Sequence, residues 1–143
     1  MAHADNTIRI ERPAEEVFDF LADGTNNPRW RSGVIDISKQ SGEGEGTVYR
    51  QTLRGPGGRT MDGDYRITTF ERPNRLAFEV IAGPARPLGS FVLTSDGPSS
   101  TSVTFTLDLA SKGLTKLMAP MIQRQMQKEV ALLEALKGVL EGP

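Results

Sequence analysis

The chain predicts an α+β architecture: a curved, seven-stranded antiparallel sheet around one long C-terminal helix, with short helices after the first strand. Three observations carry this. Between residues 34 and 109, short runs of alternating apolar and polar residues are separated by turns rich in Gly, Pro, Asn and Asp. Connections this short join antiparallel neighbours, because a parallel crossover needs a dozen residues or more. From Leu114 onward the apolar period changes to three or four residues and stays there.

Residues 7–12 (TIRIER) alternate Ile8 and Ile10 with polar neighbours, the period of a half-buried strand. Pro13 then opens AEEVFDFLA, where Glu15 and Glu16 suit the positive end of a helix and Ala14, Val17, Phe18 and Leu21 share one face. Asp23, Gly24, Asn26, Asn27 and Pro28 break that helix, and Arg29, Trp30 and Arg31 allow one further turn. Strands are expected at 34–37, 47–53, 60–70, 76–81, 90–94 and 102–109, which with the first makes seven. The stripe Leu114, Leu117, Met118, Met121, Ile122, Met126, Val130, Leu133, Leu136, Leu140 predicts a single amphipathic helix. Pro120 lies within it and predicts a kink there, or else a start near that residue. A sheet with one apolar face must cover it, and only this helix is long enough.

A chain of 143 residues and 15.6 kDa corresponds to one domain, 1–143, able to bury about two-thirds of its unfolded surface without a disulfide or metal. Seventeen Lys and Arg against 18 Asp and Glu leave a net charge of −1, without the basic excess of a nucleic-acid binder. There is no cysteine, and the one histidine, His3, stands in a polar N-terminal stretch. Thiolate chemistry, Ser-His-Asp and Cys-His arrangements and multi-histidine metal sites are thereby excluded, and no cofactor or metal is expected. No apolar run approaches the roughly 20 residues of a membrane span, and residues 1–7 lack the apolar segment of a secretory signal. The expectation is a soluble, cytoplasmic protein, monomer or homodimer, with no nucleic-acid partner and no stable membrane insertion.

The order of motifs resembles the START-related, polyketide cyclase-like (SRPBCC) helix-grip superfamily. IRIERPAEEVFDFLAD (8–23) is similar to its first strand and helix, and NPRWRSGV (27–34) to its tryptophan-bearing turn. GEGEGTVYR (42–50) is similar to its glycine-rich hairpin, and YRITTFERPNRLAFEV (65–80) to its strand, Glu-x-Pro turn and strand. STSVTFTLDL (100–109) and IQRQMQKEVALLEALKGVLE (122–141) are similar to its last strand and C-terminal helix. The resemblance implies a helix-grip fold with a cavity between sheet and helix. It spans polyketide cyclases, lipid carriers, hormone receptors and chaperone activators, so the fold alone does not choose among activities.

By alternation, the sheet face toward the helix carries Tyr49, Gln51, Leu53, Gly63, Tyr65, Ile67, Phe78, Val80, Phe91, Leu93, Phe105 and Leu107; a register shift would exchange the set on any one strand. Candidate ligand-binding residues are Trp30, Tyr49, Gln51, Tyr65, Phe78, Phe91, Phe105, Met118, Met121, Ile122 and Met126. Each also reads as ordinary core. The methionines offer a deformable apolar wall, and Trp30 either seals one end of the grip or gates its mouth. Tyr65, Gln51 and Arg50 are the polar residues expected nearest the cavity, with Arg50 reading equally as a solvent-facing strand residue. Asp62 would enter only in a shifted register. Arg54, Arg59, Arg72, Arg75 and Arg86 fall near turns, as a solvated rim or a basic mouth. The glycines at 42, 44 and 46 precede a strand and no Lys-Ser/Thr, so they read as a hairpin turn and not a phosphate loop.

The function expected is binding of a hydrophobic or aromatic small molecule, lipid, polyketide or quinone-like. One alternative is a cyclase or dehydratase using Tyr65 as acid or enolate stabiliser and Arg50 as its electrostatic partner. A second is a protein-interaction module like the chaperone activators.

Overall fold

The computed structural model describes residues 2–83, 85–110 and 118–142. In chain order the elements are β1 (Ala2–Ile10), α1 (Ala14–Ala22), a 3-10 segment (Gly24–Arg29), β2 (Val34–Ser41), β3 (Val48–Arg54), a short 3-10 turn (Pro56–Gly58), β4 (Thr60–Asp62), β5 (Tyr65–Glu71), β6 (Arg75–Val80), β7 (Leu88–Gly97), β8 (Ser100–Leu109), α2 (Ala119–Ala131) and α3 (Leu133–Glu141). The strands form one sheet in the order β1-β8-β7-β6-β5-β3-β2, with β4 paired to β3. Every pairing is antiparallel. Because β1 and β2 lie at opposite edges, α1 and the first 3-10 segment span the distance between them.

The α+β architecture, an antiparallel sheet packed against a C-terminal helical segment, is the one the periodicities predict, and it is the helix-grip arrangement that the resemblance implies. Helix α1 follows Pro13 and buries Ala14, Val17, Phe18 and Leu21, the four residues that share a face by spacing. The predicted inward face of the sheet is also the buried one: Tyr49, Gln51, Gly63, Tyr65, Ile67, Phe78, Phe91, Leu93, Phe105 and Leu107 are buried, and Leu53 and Val80 partly so. Phe105, Phe18, Ile10, Leu76, Leu93, Leu133 and Leu136 are completely enclosed. Phe91 and Phe105 stack at 4.5 Å, and Trp30 meets both edge-on at 6.1 Å.

Four expectations need correction. First, the polar N-terminal stretch is strand. Ala2 pairs with Leu109 and the ladder runs unbroken to Ile10 opposite Thr101. His3 is held there by Asp108 at 2.5 Å and Asp5 at 2.6 Å, and its backbone is clamped by the Gln123 side chain. Second, β2 runs past the expected 34–37 as far as Ser41, because its pairing with β3 continues to Ser41 opposite Val48. Third, the single strand expected over 60–70 is two. Asp64 turns its carboxylate into the ladder and accepts the Gln51 N–H at 3.1 Å, while Gly63 N–H donates to Gln51 O at 2.8 Å. Strand β4 then stays with β3 and β5 pairs onward to β6, giving eight strands.

Fourth, the C-terminal stripe folds as two helices. Pro120 lies in the first turn of α2, where its missing N–H costs no helical bond. The chain bends instead at Leu132, whose N–H reaches back three residues to Glu129 O at 3.1 Å. The bend keeps α2 and α3 both packed on β1, with α2 also over β8. The predicted stripe residues Leu114 and Leu117 lie outside the described residues.

Candidate ligand cavity

A cavity of about 220 Å³ opens between the inner face of the sheet and α2. Its walls come from β3 (Gln51, Leu53), β6 (Phe78, Val80), β8 (Leu107, Leu109), the segment around Met61 and Gly63, the 81–87 loop (Ala85, Pro87), and α2. The helix contributes Met121, Ile122 and Met126, with Met118 just before it. Met126 is buried, whereas Met118 and Met121 are 40% and 42% exposed, which puts flexible apolar side chains at the mouth.

Two glycines shape the walls. A Cβ on Gly63 would stand 2.5 Å from Leu53 Cδ1, so the glycine lets Leu53 lie flat against the sheet. A Cβ on Gly89, the cross-strand partner of Phe78, would stand 2.2 Å from Phe78 Cζ. The Phe78 ring therefore rests on bare backbone and leaves the cavity open beside it.

The polar groups form two connected sets. Gln51, 3% exposed, accepts from Asn27 Nδ2 at 3.1 Å and donates from Nε2 to Gly63 O at 3.2 Å. The other Asn27 amide hydrogen goes to Tyr65 Oη at 3.0 Å. Beside them, Arg31 Nε donates to Glu129 Oε2 at 3.0 Å; the two side chains are only 12% and 16% exposed, and both line the cavity. Burial pushes the Tyr65 phenol well above its ordinary range, while the bond from Asn27 pulls weakly the other way. Tyr65 is thus a neutral phenol at any physiological pH.

Of the eleven candidate binding residues, six line the cavity: Gln51, Phe78, Met118, Met121, Ile122 and Met126. The other five pack behind it. Tyr65 stacks on Tyr49 at 5.1 Å, and its hydroxyl is capped by Gly24, where a Cβ would stand 2.3 Å away. Tyr49 donates to Ala22 O at 3.3 Å and lines a second, more open cleft of about 380 Å³ beside Asp19, Asp23, Lys39 and Glu43. Trp30, Phe91 and Phe105 form the aromatic cluster of the core. Arg50, the expected electrostatic partner, is exposed on the outer face of β3, because it alternates with Tyr49 and Gln51. Tyr65 and Arg50 therefore do not share a pocket. Asp62 borders the cavity from an exposed position without any change of register, and of the five turn arginines Arg54 alone lines it.

Of the lining residues not anticipated, which include Met61, Ala85, Pro87 and Leu109, the two that are charged and joined by an ion pair are Arg31 and Glu129, 98 positions apart. The signal for Glu129 is present in the sequence: it stands at i+7 from Ile122 and i+3 from Met126, a carboxylate on the cavity-facing stripe. Among the described residues no group of three or more His, Cys, Asp or Glu is placed to hold a metal. No described helix is long and apolar enough to cross a membrane.

The family described as polyketide cyclase / dehydrase and lipid transport matches residues 1–141. The chain belongs to this family. Among solved structures, a START superfamily protein from Mycobacterium smegmatis superposes with a TM-score of 0.83 at 16% identity, covering 99% of this chain and 98% of that one. The Zhui aromatase/cyclase from Streptomyces sp. R1128 gives 0.72 at 16% identity, covering 96% and 94%. The di-domain aromatase/cyclase BexL of the BE-7585A biosynthetic pathway gives 0.75 at 18% identity, covering 99% of this chain and 50% of that one. At such identities the likeness establishes the helix-grip fold. No curated protein sequence matches this chain.

Proposed function

We propose that this protein binds a hydrophobic or aromatic small molecule, lipid, polyketide or quinone-like, in the cavity between the sheet and α2. The carrying observation is the cavity itself. It is walled by Leu53, Phe78, Val80, Leu107, Met121, Ile122 and Met126, with a short polar stretch formed by Gln51, Arg31 and Glu129. Ligand sites are typically apolar concavities with a few placed polar groups. An apolar cavity of roughly 150 Å³ is enough to take benzene, so 220 Å³ suits one to two fused rings or a short chain segment, longer ligands emerging past Met118 and Met121. An open cavity favours this reading over an interaction module, which needs no internal space.

Native mass spectrometry of protein purified without organic solvent tests it. An adduct above 15.6 kDa that is lost on denaturation supports binding. A clean apo mass, with no thermal stabilisation by naphthols, quinones or lipids, refutes it.

The cyclase or dehydratase reading is favoured by one observation, the Glu129 carboxylate on the cavity wall, the kind of group that acts as a general acid or base. Tyr65 and Arg50 are less well placed for that role, one capped by Gly24 and the other on the outer face. A bound substrate recovered unchanged after prolonged incubation removes this second reading and leaves the first.

A further inference from the structure

We infer that Arg31 and Glu129 form a charge-neutral recognition pair that selects hydrophobic ligands bearing a neutral hydroxyl or carbonyl, against hydrocarbons and carboxylates alike. The inference rests on the ligand-binding reading and specifies the chemical class of ligand for that cavity.

The guanidinium makes one side-chain hydrogen bond among the described residues, from Nε to Glu129 Oε2. Its Nη1 and Nη2 donors and Glu129 Oε1 have no protein partner there. Both side chains are largely buried at the cavity wall, and these atoms keep access to solvent through the cavity, since among the described residues only Trp30 Nε1 is a fully buried side-chain polar atom without a partner. A ligand that fills the cavity displaces that solvent, and a donor or acceptor it leaves unmet is costly. A hydroxyl placed between them accepts from Nη and donates to Oε1, and a carbonyl accepts from Nη alone. A hydrocarbon leaves both groups unmet.

Charge excludes the anion. The charged residues lining the cavity among those described are Arg31, Arg54, Asp62 and Glu129, two of each sign. Arg54 and Asp62 are exposed at the rim, so within the cavity the Arg31 charge is already balanced by Glu129. A carboxylate bound beside the pair would bring a second negative charge with no cation left to match it, and an unpaired buried charge is strongly disfavoured. This sets the site apart from a lone buried arginine, which would favour acids.

The test uses three probes of one shape, naphthalene, 2-naphthol and 2-naphthoate, titrated into the full chain at neutral pH and followed by amide chemical shifts. The expected order is 2-naphthol tightest, by about tenfold over naphthalene, since a hydrogen bond to a charged group is worth about one decade or more. The acid binds more weakly than the naphthol. Glu129→Gln keeps an acceptor for Arg31 Nε but leaves the cation unbalanced, so 2-naphthoate gains about tenfold and overtakes the naphthol. The double variant Arg31→Met/Glu129→Leu removes the pair together, and the naphthol preference over naphthalene falls to about one while naphthalene still binds. Equal binding of naphthalene and 2-naphthol by the wild type, with the cavity amides shifting, overturns this inference and spares the ligand-binding reading. So does an unchanged order of naphthol and naphthoate in Glu129→Gln. No response to any probe overturns both.

Discussion

Replacing Gly89 by alanine is the most direct probe of how the cavity is kept open. Gly89 faces Phe78 across the β6–β7 ladder, and its φ is not in the left-handed region, so an alanine introduces no backbone strain there. What it introduces is a Cβ 2.2 Å from Phe78 Cζ, 2.5 Å from Cε1 and 2.7 Å from Cε2. The ring must retreat by about 1.2 Å to reach ordinary contact at 3.4 Å. It is hemmed by Tyr65 at 5.4 Å, Phe91 at 6.1 Å and Phe105 at 6.5 Å, and the open direction is the cavity that it already lines. Overpacking of this kind costs about 1–3 kcal/mol. The alanine offsets about 0.4–1 kcal/mol of that by restricting the unfolded chain. The net expectation is a loss of about 1–2 kcal/mol, or a melting temperature lower by about 3–7 °C for a domain of this size. Affinity for 2-naphthol falls at least about threefold as the ring enters the site. A double-mutant cycle gives the sharper reading: Phe78→Leu costs less in the Gly89→Ala background than in the wild type, by about 0.5 kcal/mol or more. A variant that melts at or above the wild type, with Phe78→Leu costing the same in both backgrounds, refutes the claim that the ring rests on the Gly89 backbone.

Four further outcomes follow from the same geometry. Met121→Glu changes stability by less than about 0.5 kcal/mol, because the side chain is 42% exposed, but weakens 2-naphthol binding several-fold by wetting the mouth, measured by thermal melting and titration. Leu136→Ala, at a fully enclosed position on α3 away from the cavity lining, costs about 2–5 kcal/mol in denaturant unfolding. Tyr65→Phe strands one buried Asn27 amide hydrogen and costs about 1–3 kcal/mol, yet leaves 2-naphthol affinity within twofold, since the hydroxyl is capped by Gly24 and not open to the cavity. His3 titrates above 6.5, because hydrogen bonds to Asp108 and then Asp5 favour its charged form. The stability this supplies is fully present below pH 6.5 and fades as pH rises through the folded-state value. Proton NMR titration of His3 checks the direction, and His3→Gln removes that pH dependence from the melting curve.

How much of this was legible in the residue order depends on whether the information is local. The inward face of the sheet follows from a period of two, so burial of Tyr49, Gln51, Phe78, Phe91 and Phe105 and exposure of Arg50 are consequences of strand geometry. Helix α1 is likewise contained in the spacing of Val17, Phe18 and Leu21 after Pro13. Even the split between β4 and β5 has a local cause, the Asp64 carboxylate, although its acceptor role becomes visible only once β3 lies alongside. The reach of β1 back to Ala2 is different. Only Ala2 and Ala4 alternate there, side chains too small to mark residues 2–6 as a strand, and they become one because β8 offers a complete ladder and Gln123 a clamp.

Alternation alone determined which side chains turn inward, and the helical stripe determined what covers them, because both periods are set by backbone geometry residue by residue. Tertiary structure decided which inward residues meet each other and which meet empty space. Phe91 and Phe105 stack on each other and Tyr65 on Tyr49, whereas Phe78, which touches Tyr65, Phe91 and Phe105 on one side, also faces the cavity with Leu107 and Met126, because α2 packs on β1 and β8 and stands off from β3 and β6. The same placement brings Glu129 to Arg31 across 98 residues. No spacing rule encodes that contact, since it depends on where a helix lands on a curved sheet and not on the period of either chain segment.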